Sequence, residues 1–334
     1  MIESIKKYSQ KEEFRKALGI DGKDEIEFSL LAQGEYNVNY LFEHPQTGEK
    51  LLLRVNMGSQ MHLEHQVEYE YKALKQLESS GRTPKVYYVD DSKEWIPNGI
   101  LVMEYLPGTV MDYEKDMRVG AEILADIHAV AVDPEGSLIH SENPCREILE
   151  ECNQMFRVYE ESELAEPHKK AQIRKMLDLC KEKTSQMADY AGYKCCINTE
   201  LNSTNFLINE FGKSYLIDWE KPLYGDPGQD LGHYLAPTTT FWKTDVILNE
   251  DETDAILDYY LQCVNERYDV TGLKERVNIF IPVTCMRGIT WCAMAWVEYQ
   301  QPGKAIRNES TWKKLNEYLE QSFIDMLEAR INNM

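Results

Sequence analysis

The segment from Ile197 to Trp219 constrains the fold of this chain more than any other. It reads INTELNSTNFLINEFGKSYLIDW and has two short apolar runs on either side of a turn at Gly212. We interpret it as a loop, a strand, a tight hairpin and a second strand. Glu200 and Asn205 then lie at the mouth of the hairpin, and Asp218 lies just beyond the second strand.

Three oxygen-bearing side chains that converge at one hairpin can hold one or two Mg²⁺ ions together with a hydroxyl nucleophile. Phosphoryl transfer needs this arrangement, because the protein supplies positioning and charge neutralisation rather than covalent chemistry. From the segment alone, the alternative is a polar hairpin whose acids are only solvated.

Upstream of this segment, the pattern predicts a small sheet with one main helix. Apolar runs between turn residues predict strands at residues 28–31, 40–42, 51–55, 86–89 and 100–103. Gly34 lies between the first two strands, where its backbone could approach a phosphate closely, or it forms a simple hairpin turn. The stretch MHLEHQVEYEYKALKQLESSG predicts a helix that ends at Gly81.

Arg54 lies within the apolar third strand, where a positive charge needs a partner. Glu70 on the predicted helix is the candidate partner, and Glu64 and Glu68 compete with it. A pair with Glu70 would fix the arginine against nucleotide phosphates. The alternative is an exposed edge position without a partner.

The fifth strand stops at Glu104-Tyr105, and Pro107-Gly108 breaks the structure. We therefore predict an N-terminal nucleotide-binding lobe over residues 1–106 and a helical C-terminal lobe over residues 107–334, with the catalytic loop and acceptor site. A crossover of this kind exposes backbone groups that an adenine edge can use, although an ordinary strand exit has the same pattern.

The second half of the chain reads as mostly helical. His128, in a predicted helix over residues 117–130, is more typical of a satisfied core histidine than of a ligand. Asp226 and Asp230 flank Pro227-Gly228 and precede a helix. Asp230 either orients the catalytic loop or caps that helix, and we favour a structural role for both acids. Residues 237–242, PTTTFW, are predicted to form a loop.

A predicted helix over residues 279–299 interleaves arginine, tryptophan and acid with small residues. A pocket lined by tryptophans and acids would suit a cationic substrate through cation–π and Coulomb attraction. The alternative is that the tryptophans belong to the core. The candidate acceptor-site residues are Trp242, Arg287, Trp291 and Glu298.

The net charge of −21 argues against a nucleic acid or an anionic membrane as partner. It is compatible with a metal–nucleotide complex or a small cation. The eight cysteines form no CxxC pair, which is typical of reduced thiols in a cytosolic protein. The N-terminus lacks the apolar core of a signal peptide, and no run reads as long and apolar enough to span a bilayer. We therefore expect a cytoplasmic protein.

These motifs occur in a recognisable order: a glycine loop, a charged strand, a helix with Glu, LVMEYLPG, an acid five residues before an Asn, IDW and GDPGQDL. The chain resembles the aminoglycoside phosphotransferase and choline kinase superfamily over about residues 28–300. The resemblance implies the α+β, two-lobed protein-kinase-like fold, with a small antiparallel-sheet N-lobe and a larger, mostly helical C-lobe. It also implies ATP as donor, Mg²⁺ as cofactor and a hydroxyl of a small molecule as acceptor.

The resemblance assigns roles by position. Gly34 would cover the phosphates, Arg54 would bind them, and Glu70 would be the helix acid. Asn205 and Asp218 would be the metal ligands. The adenine hinge would be formed by Met103, Glu104, Tyr105 and Leu106.

The catalytic loop departs from the family motif His-x-Asp-x-x-x-x-Asn. Asn198 replaces the histidine, and Glu200 replaces the catalytic aspartate. The extra methylene moves the carboxylate by roughly 1.5 Å, and a misplacement of about 1 Å can cost on the order of 100-fold in rate. The sequence thus supports a Mg·ATP-dependent small-molecule kinase with Glu200 as the catalytic carboxylate. The alternative is a catalytically weakened, kinase-like regulatory protein that binds nucleotide.

Overall fold

An antiparallel five-stranded sheet forms the N-terminal part of the protein, in a computed structural model that describes residues 1–185, 192–301 and 308–334. Its strands are β1 (Ser29–Gln33), β2 (Asn37–Glu43), β3 (Lys50–Asn56), β4 (Val86–Asp90) and β5 (Gly99–Glu104). They lie in the order β1-β2-β3-β5-β4. These are the five predicted strands, with ends that differ by a few residues.

The alternation of side chains along β3 divides the sheet into two faces. Leu51, Leu53 and Val55 are buried in a cluster with α1 (Ile2–Tyr8) and α2 (Glu12–Leu18). The intervening residue, Arg54, therefore points to the opposite face. That face is covered by α3 (Gln66–Leu77), which a turn of 3₁₀ helix extends to Gly81.

The C-terminal part is mostly helical, and with the sheet it confirms the predicted α+β, kinase-like class. Its helices are α4 (Met117–His128), α5 (Pro144–Glu161), α6 (Pro167–Ser185), α7 (Pro227–Leu235), α8 (Pro237–Lys243), α9 (Glu250–Val264), α10 (Leu273–Gln300), α11 (Glu309–Tyr318) and α12 (Gln321–Asn332). The expected loop over residues 237–242 is wrong, because this segment forms α8. Pro237 begins that helix, at the position where its missing N–H costs nothing.

Two small three-stranded sheets frame the segment from Ile197 to Trp219. Their strands are β6 (Thr109–Val110), β7 (Ile139–His140), β8 (Cys195–Ile197), β9 (Phe206–Ile208), β10 (Tyr215–Leu216) and β11 (Leu223–Gly225). One sheet has the order β10-β9-β6 and the other β7-β11-β8. The predicted hairpin is the antiparallel pair β9–β10, and Gly212 lies in its loop with φ +114°. The loop 198–205 and the turn 217–222 connect the two sheets.

Helix α10 lies at the centre of the helical part and packs against α5 and α7. We expected no run that could span a bilayer, yet α10 meets that criterion by length and composition. Within the protein, 67% of its most apolar stretch is buried. Arg287, partway along it, forms an ion pair with Glu151 of α5. A helix surrounded by other helices is apolar on most sides, so its composition reflects its central position.

The hydrophobic core continues past the predicted lobe boundary. Buried residues of α3, such as Leu74 and Leu77, belong to the larger cluster that also contains the helices of the C-terminal part. The smaller cluster lies between the sheet and the two N-terminal helices. The boundary at residue 106 stays a prediction.

The close approach of α7 and α10 depends on Gly232. A Cβ at this position would lie 2.9 Å from the carbonyl carbon of Phe280 and 3.1 Å from the backbone N of Ile281. We expect Gly232→Ala to destabilise the protein by about 1–3 kcal/mol, because the helices must separate. Thermal or urea unfolding measures the loss.

Gly34→Ala is the matched control. Its Cβ would meet only Asn37 O at 3.8 Å, and its φ lies outside the left-handed region. Its stability should change little, and an equal loss in both variants would contradict the packing argument.

Candidate active site

Arg54 of β3 is paired with Glu70 of α3. The distance from Nη1 to Oε1 is 2.5 Å, and both residues are buried. Arg54 Nε also donates to Asn39 Oδ1 at 3.1 Å. The competing acid Glu68 pairs instead with Lys72 at 3.3 Å, where both side chains are about half exposed. The structure thus selects Glu70 among the three candidate partners.

The same guanidinium faces Asp218. Arg54 Nη2 lies 3.7 Å from Asp218 Oδ1. Burial alone would lower the pKa of Arg54, but the negative charges of Glu70 and then Asp218 raise it above its usual range. Arg54 is therefore a permanent cation that connects the N-terminal sheet to the hairpin.

Asp230 holds the backbone of the catalytic loop. This fully buried carboxylate accepts hydrogen bonds from the N–H groups of Asn198 and Thr199, each at 2.8 Å. His128 Nε2 lies 3.2 Å from the same carboxylate, and His128 Nδ1 lies 2.7 Å from the hydroxyl of Tyr260. His128 is thus a satisfied core histidine, as expected, but it also braces the residue that positions the loop.

The two aspartates of GDPGQDL have different roles. Asp226 caps α7, since it accepts from the N–H of Gly228 at 2.8 Å, and it also pairs with Arg276 at 2.6 Å. Asp230 lies inside the helix rather than at its cap. A purely structural role for both residues is therefore incomplete, because Asp230 orients the loop.

The loop and the turn that follows the hairpin are bonded to each other. Asn198 Nδ2 donates to the carbonyl of Asp218 at 3.0 Å, and Asn198 Oδ1 accepts from the N–H of Glu200 at 3.0 Å. Thr199 Oγ1 donates to the carbonyl of Lys221 at 3.0 Å. Asn198 therefore joins the segment of Glu200 to that of Asp218.

Two residues at this junction have left-handed backbone conformations. Thr199 has φ +69° and Asp218 has φ +65°. Such conformations cost about 1–3 kcal/mol each in residues other than glycine, and they persist only where the surroundings impose them. The hydrogen bonds of the loop and turn supply that constraint. The backbone is therefore strained at Thr199 and Asp218, where the segments of Glu200 and Asp218 approach each other.

Glu200 forms an ion pair with Lys221, with Oε1 2.7 Å from Nζ. Burial would raise the pKa of Glu200, but the positive charge and hydrogen bond of Lys221 lower it below its usual range. Glu200 is therefore ionised at neutral pH. A carboxylate of low pKa is a weak proton acceptor but an effective group for orienting a hydroxyl.

Asn205 and Asp218 lie at the same open end of the hairpin. The N–H of Ile217 donates to the carbonyl of Asn205 at 2.8 Å, one residue beyond the last β9–β10 pair. Asn205 Nδ2 donates to the carbonyl of Glu200 at 2.8 Å, so the Oδ1 atom of Asn205 is free of this bond and could bind a metal ion. The Asp218 side chain keeps 34% of its surface exposed.

Glu220 is a neighbouring acid that the sequence analysis did not select. Asn37 Nδ2 donates to its carboxylate, and Gln66 Nε2 donates to its carbonyl at 2.8 Å. Burial, and next the charge of Asp218, raise the pKa of Glu220 to about 7. Its position two residues after Asp218 in a turn was the available sequence signal.

These oxygen ligands fit the chemistry of Mg²⁺. Within residues 1–185, 192–301 and 308–334, no three His, Cys, Asp or Glu side chains group closely enough to form a metal site. Mg²⁺ is commonly bound by one or two carboxylates and completed by substrate phosphates and water. The charge of Asp218 raises the pKa of Glu220, whereas a hydrogen bond with Glu220 acts to lower the pKa of Asp218, so the two side chains are close neighbours. Together with the amide oxygen of Asn205, they are suited to such a shared site.

Gly34 lies in the exposed turn between β1 and β2, and its N–H donates to Asn37 O at 2.9 Å. Neither its φ nor its packing requires a glycine. The position is therefore a hairpin turn in the free protein, with room for close approach of a ligand to its backbone.

The predicted adenine hinge lies at the end of β5. The N–H groups of Glu104 and Tyr105 donate to the carbonyls of Lys85 and Lys50, at 2.8 and 3.3 Å. An adenine edge would therefore use the carbonyl groups of the hinge or the N–H of Leu106. Met103 and Leu106 are buried, so the hinge is apolar on its inner side.

A cavity of about 260 Å³ adjoins the catalytic loop. Lys221, the ion-pair partner of Glu200, lines it, and Arg287 of α10 lines it as well. The other described residues that line it are Gln60, Met61, Ser141, Pro144, Glu147, Ile148, Glu151, Thr199, Leu223 and Gln229. Of the four candidate acceptor residues, only Arg287 belongs to this set.

The other three candidates lie elsewhere. Trp242 and Trp291 contact each other edge to face at 5.2 Å, and Trp242 also contacts Tyr318 at 5.8 Å. Glu298 is exposed near the C-terminal end of α10. The structure therefore does not bring these residues together with Arg287 at the described cavity.

The family comparison agrees with this geometry. The sequence model of the phosphotransferase enzyme family matches residues 27–263. No curated protein sequence matches the chain.

Several solved structures share the fold at low sequence identity. A putative aminoglycoside phosphotransferase from Ralstonia eutropha has a TM-score of 0.65 at 14% identity, covering 99% of this chain and 98% of its own. Choline kinase from Cryptosporidium parvum has a TM-score of 0.62 at 14% identity, covering 92% of each chain. A spectinomycin phosphotransferase in complex with ADP and spectinomycin has a TM-score of 0.61 at 13% identity, covering 95% of each chain.

The buried pair of Arg54 and Glu70 generates a stability prediction. Arg54→Met or Glu70→Leu alone should cost about 3–5 kcal/mol, because each leaves an uncompensated buried charge, and the double variant should regain most of this loss. Urea unfolding measures all three variants. Lys72→Ala, which breaks an exposed pair on the same helix, should change stability by less than about 1 kcal/mol. A double variant no more stable than the worse single variant would contradict this account.

Glu220 generates a pH prediction for the metal-free protein. The pKa of its carboxyl group is about 7 in the folded state, whereas in the unfolded chain it has the ordinary value of 4.5. The folded state thus binds more protons between these values, so its stability should fall as the pH rises from 4.5 to about 7.

Glu220→Gln should flatten this part of the stability profile, measured as Tm against pH. Glu210→Gln, at an exposed position in the loop of the preceding β9–β10 hairpin, should leave it unchanged. A slope that persists in Glu220→Gln would show that another group causes it.

Proposed function

The chain belongs to the phosphotransferase enzyme family, and from this premise we propose that it transfers the γ-phosphate of ATP to a hydroxyl group of a small molecule. The observation that carries the proposal is the bonded junction of the catalytic loop and the turn. Asn198 and Thr199 tie the segment of Glu200 to the segment of Asp218.

The charged groups of the site have complementary roles in this reaction. Arg54, fixed by Glu70, would bind phosphate oxygens of the nucleotide. Asn205 and Asp218, with Glu220 beside them, would hold Mg²⁺, which neutralises the charge on the phosphates. Gly34 would cover the phosphates, and the hinge from Met103 to Leu106 would contact adenine.

Glu200 would orient the acceptor hydroxyl. A bond forms between the hydroxyl oxygen and the γ-phosphorus, and the bond from that phosphorus to the bridging oxygen breaks, releasing ADP. The hydroxyl proton passes to Glu200 and then to solvent. Because the transition state of phosphoryl transfer is loose, orientation of the nucleophile matters more than strong basicity.

The replacement of aspartate by glutamate is compatible with a working site. Lys221 holds the Glu200 carboxylate at 2.7 Å, so the longer side chain has a defined position. Asn198 supplies the contact between loop and turn. Together these contacts support an active enzyme over a remnant that only binds nucleotide.

Two further observations support the proposed substrates and the proposed location of the protein. A protein of the same fold was solved with ADP and spectinomycin, which supports the use of a nucleotide and a small acceptor. The eight cysteines, all among the described residues, are unpaired, which supports the proposed cytoplasmic location.

Acceptor-dependent release of ADP from Mg·ATP tests the proposal, with hydroxyl-bearing amines, sugars and acids as acceptors. Glu200→Gln should lower kcat by about 10²–10⁴-fold and retain nucleotide binding, because it removes only the group that orients the hydroxyl. Asp218→Asn should abolish the thermal stabilisation given by Mg·ATP, because it weakens the metal site. Glu210→Gln is the control and should behave as wild type.

Two results would contradict the proposal. Turnover by the wild type no greater than that of both variants, with Mg·ATP still bound, would indicate a regulatory nucleotide-binding protein. The absence of any stabilisation by saturating Mg·ATP would exclude both functions.

A further inference from the structure

The cavity beside Glu200 contains two inward-lying cations. The Lys221 side chain is 12% exposed, and that of Arg287 is 24% exposed. The two acids of the same lining, Glu147 and Glu151, come from one face of α5 and are exposed. The cavity is therefore positive on its inner side and acidic at its rim, although the protein as a whole is strongly acidic.

The two cations line the same small cavity, so their positive charges disfavour each other. Among the described residues, Lys221 pairs with Glu200 and Arg287 pairs with Glu151. These ion pairs use only part of the N–H donors of the two cations. A lysine ammonium has three N–H donors and a guanidinium has five, while Arg287 contacts Glu151 through Nε. An anion between them would relieve the repulsion and accept these donors.

The lining argues against the cationic acceptor that the sequence predicts. Quaternary ammonium groups are recognised by cages of aromatic rings, yet none of the described residues that line this cavity is aromatic. Trp242 and Trp291 pack against each other away from it. Two cations within the cavity would also repel a cationic group.

The size of the cavity favours a small acceptor. Its 260 Å³ is below the range of about 300–1,000 Å³ that is typical of pockets for drug-sized ligands. A multi-ring aminoglycoside exceeds this space, whereas an acyclic or single-ring molecule fits it.

We propose that the acceptor is a small hydroxyl compound with an anionic group, a carboxylate or a phosphate, that binds between Arg287 and Lys221 while its hydroxyl faces Glu200. This inference rests on the proposed phosphotransferase function and specifies its substrate class. Arg287 thereby keeps the acceptor-site role that the sequence predicts, with the opposite sign of ligand charge.

The test compares matched ligands by isothermal titration calorimetry in the presence of Mg²⁺ and the non-hydrolysable analogue AMP-PNP. The pairs are glycerate with glycerol and serine with serinamide, with glycerol 3-phosphate and choline as further probes. The anionic member of at least one pair should bind about ten- to a hundredfold more tightly, as expected for charge-assisted hydrogen bonds. Glycerate against glycerol 3-phosphate separates a carboxylate site from a phosphate site.

Variants assign the preference to this cavity. Arg287→Gln should remove most of the preference for the anion, and Arg287→Lys should keep part of it, since it retains the charge without the planar fork. Arg146→Gln is the matched control: Arg146 pairs with Glu150 at 3.0 Å on the exposed surface of α5 and does not line the cavity. Thermal unfolding of each variant shows that it is folded.

The inference is overturned by equal binding within every pair, by undetectable binding of all anionic probes, or by a preference that survives in Arg287→Gln. Choline or an aminoglycoside phosphorylated in preference to the anionic probes would overturn the substrate class and leave the phosphotransferase function intact. Failure of that function appears separately, as no nucleotide binding and no turnover with any acceptor.

Discussion

One buried carboxylate fixes the loop around which the candidate active site is built. Asp230 lies in the core and accepts two backbone N–H groups of the loop that carries Glu200. A buried carboxylate is costly unless its hydrogen bonds are satisfied, and His128 and the two N–H groups satisfy it. The loop is therefore fixed to the helical part by an interaction that is expensive to break, and the rest of the site is built outward from it.

Further hydrogen bonds connect this loop to the turn that contains Asp218. Asn198 joins the two segments, and it does so from the position where the family has histidine. Glu200 is held by Lys221, which compensates for the longer side chain by giving the carboxylate a fixed partner. Both departures from the family motif are thus accommodated by contacts that the same loop and turn provide.

Charge alternates across the site. Arg54 of β3 lies between Glu70 of α3 and Asp218 of the turn after β10, and it neutralises both acids. Beside Glu200, Lys221 and Arg287 place positive charge on the inner side of a small cavity, although the protein as a whole is strongly acidic. This local charge matters for substrate choice. The net charge describes the surface as a whole, whereas recognition depends on the few groups that a bound ligand contacts and shields from water.

The sequence by itself determined the elements and the pairs that are close along the chain. Strand alternation and the β9–β10 hairpin with Asn205 and Asp218 at its mouth follow from local periodicity. The cost of an unpaired charge indicates that Arg54 needs an acidic partner and makes Glu70 a candidate, but only the structure selects Glu70 over its competitors. The tertiary structure alone decided that Asp230 reaches the loop, that Glu220 and Lys221 join the site, and that Arg287 lies apart from Trp242 and Trp291. These contacts connect elements that are distant in the chain, and a residue's type and spacing do not reveal which neighbours the packing of helices will bring to it.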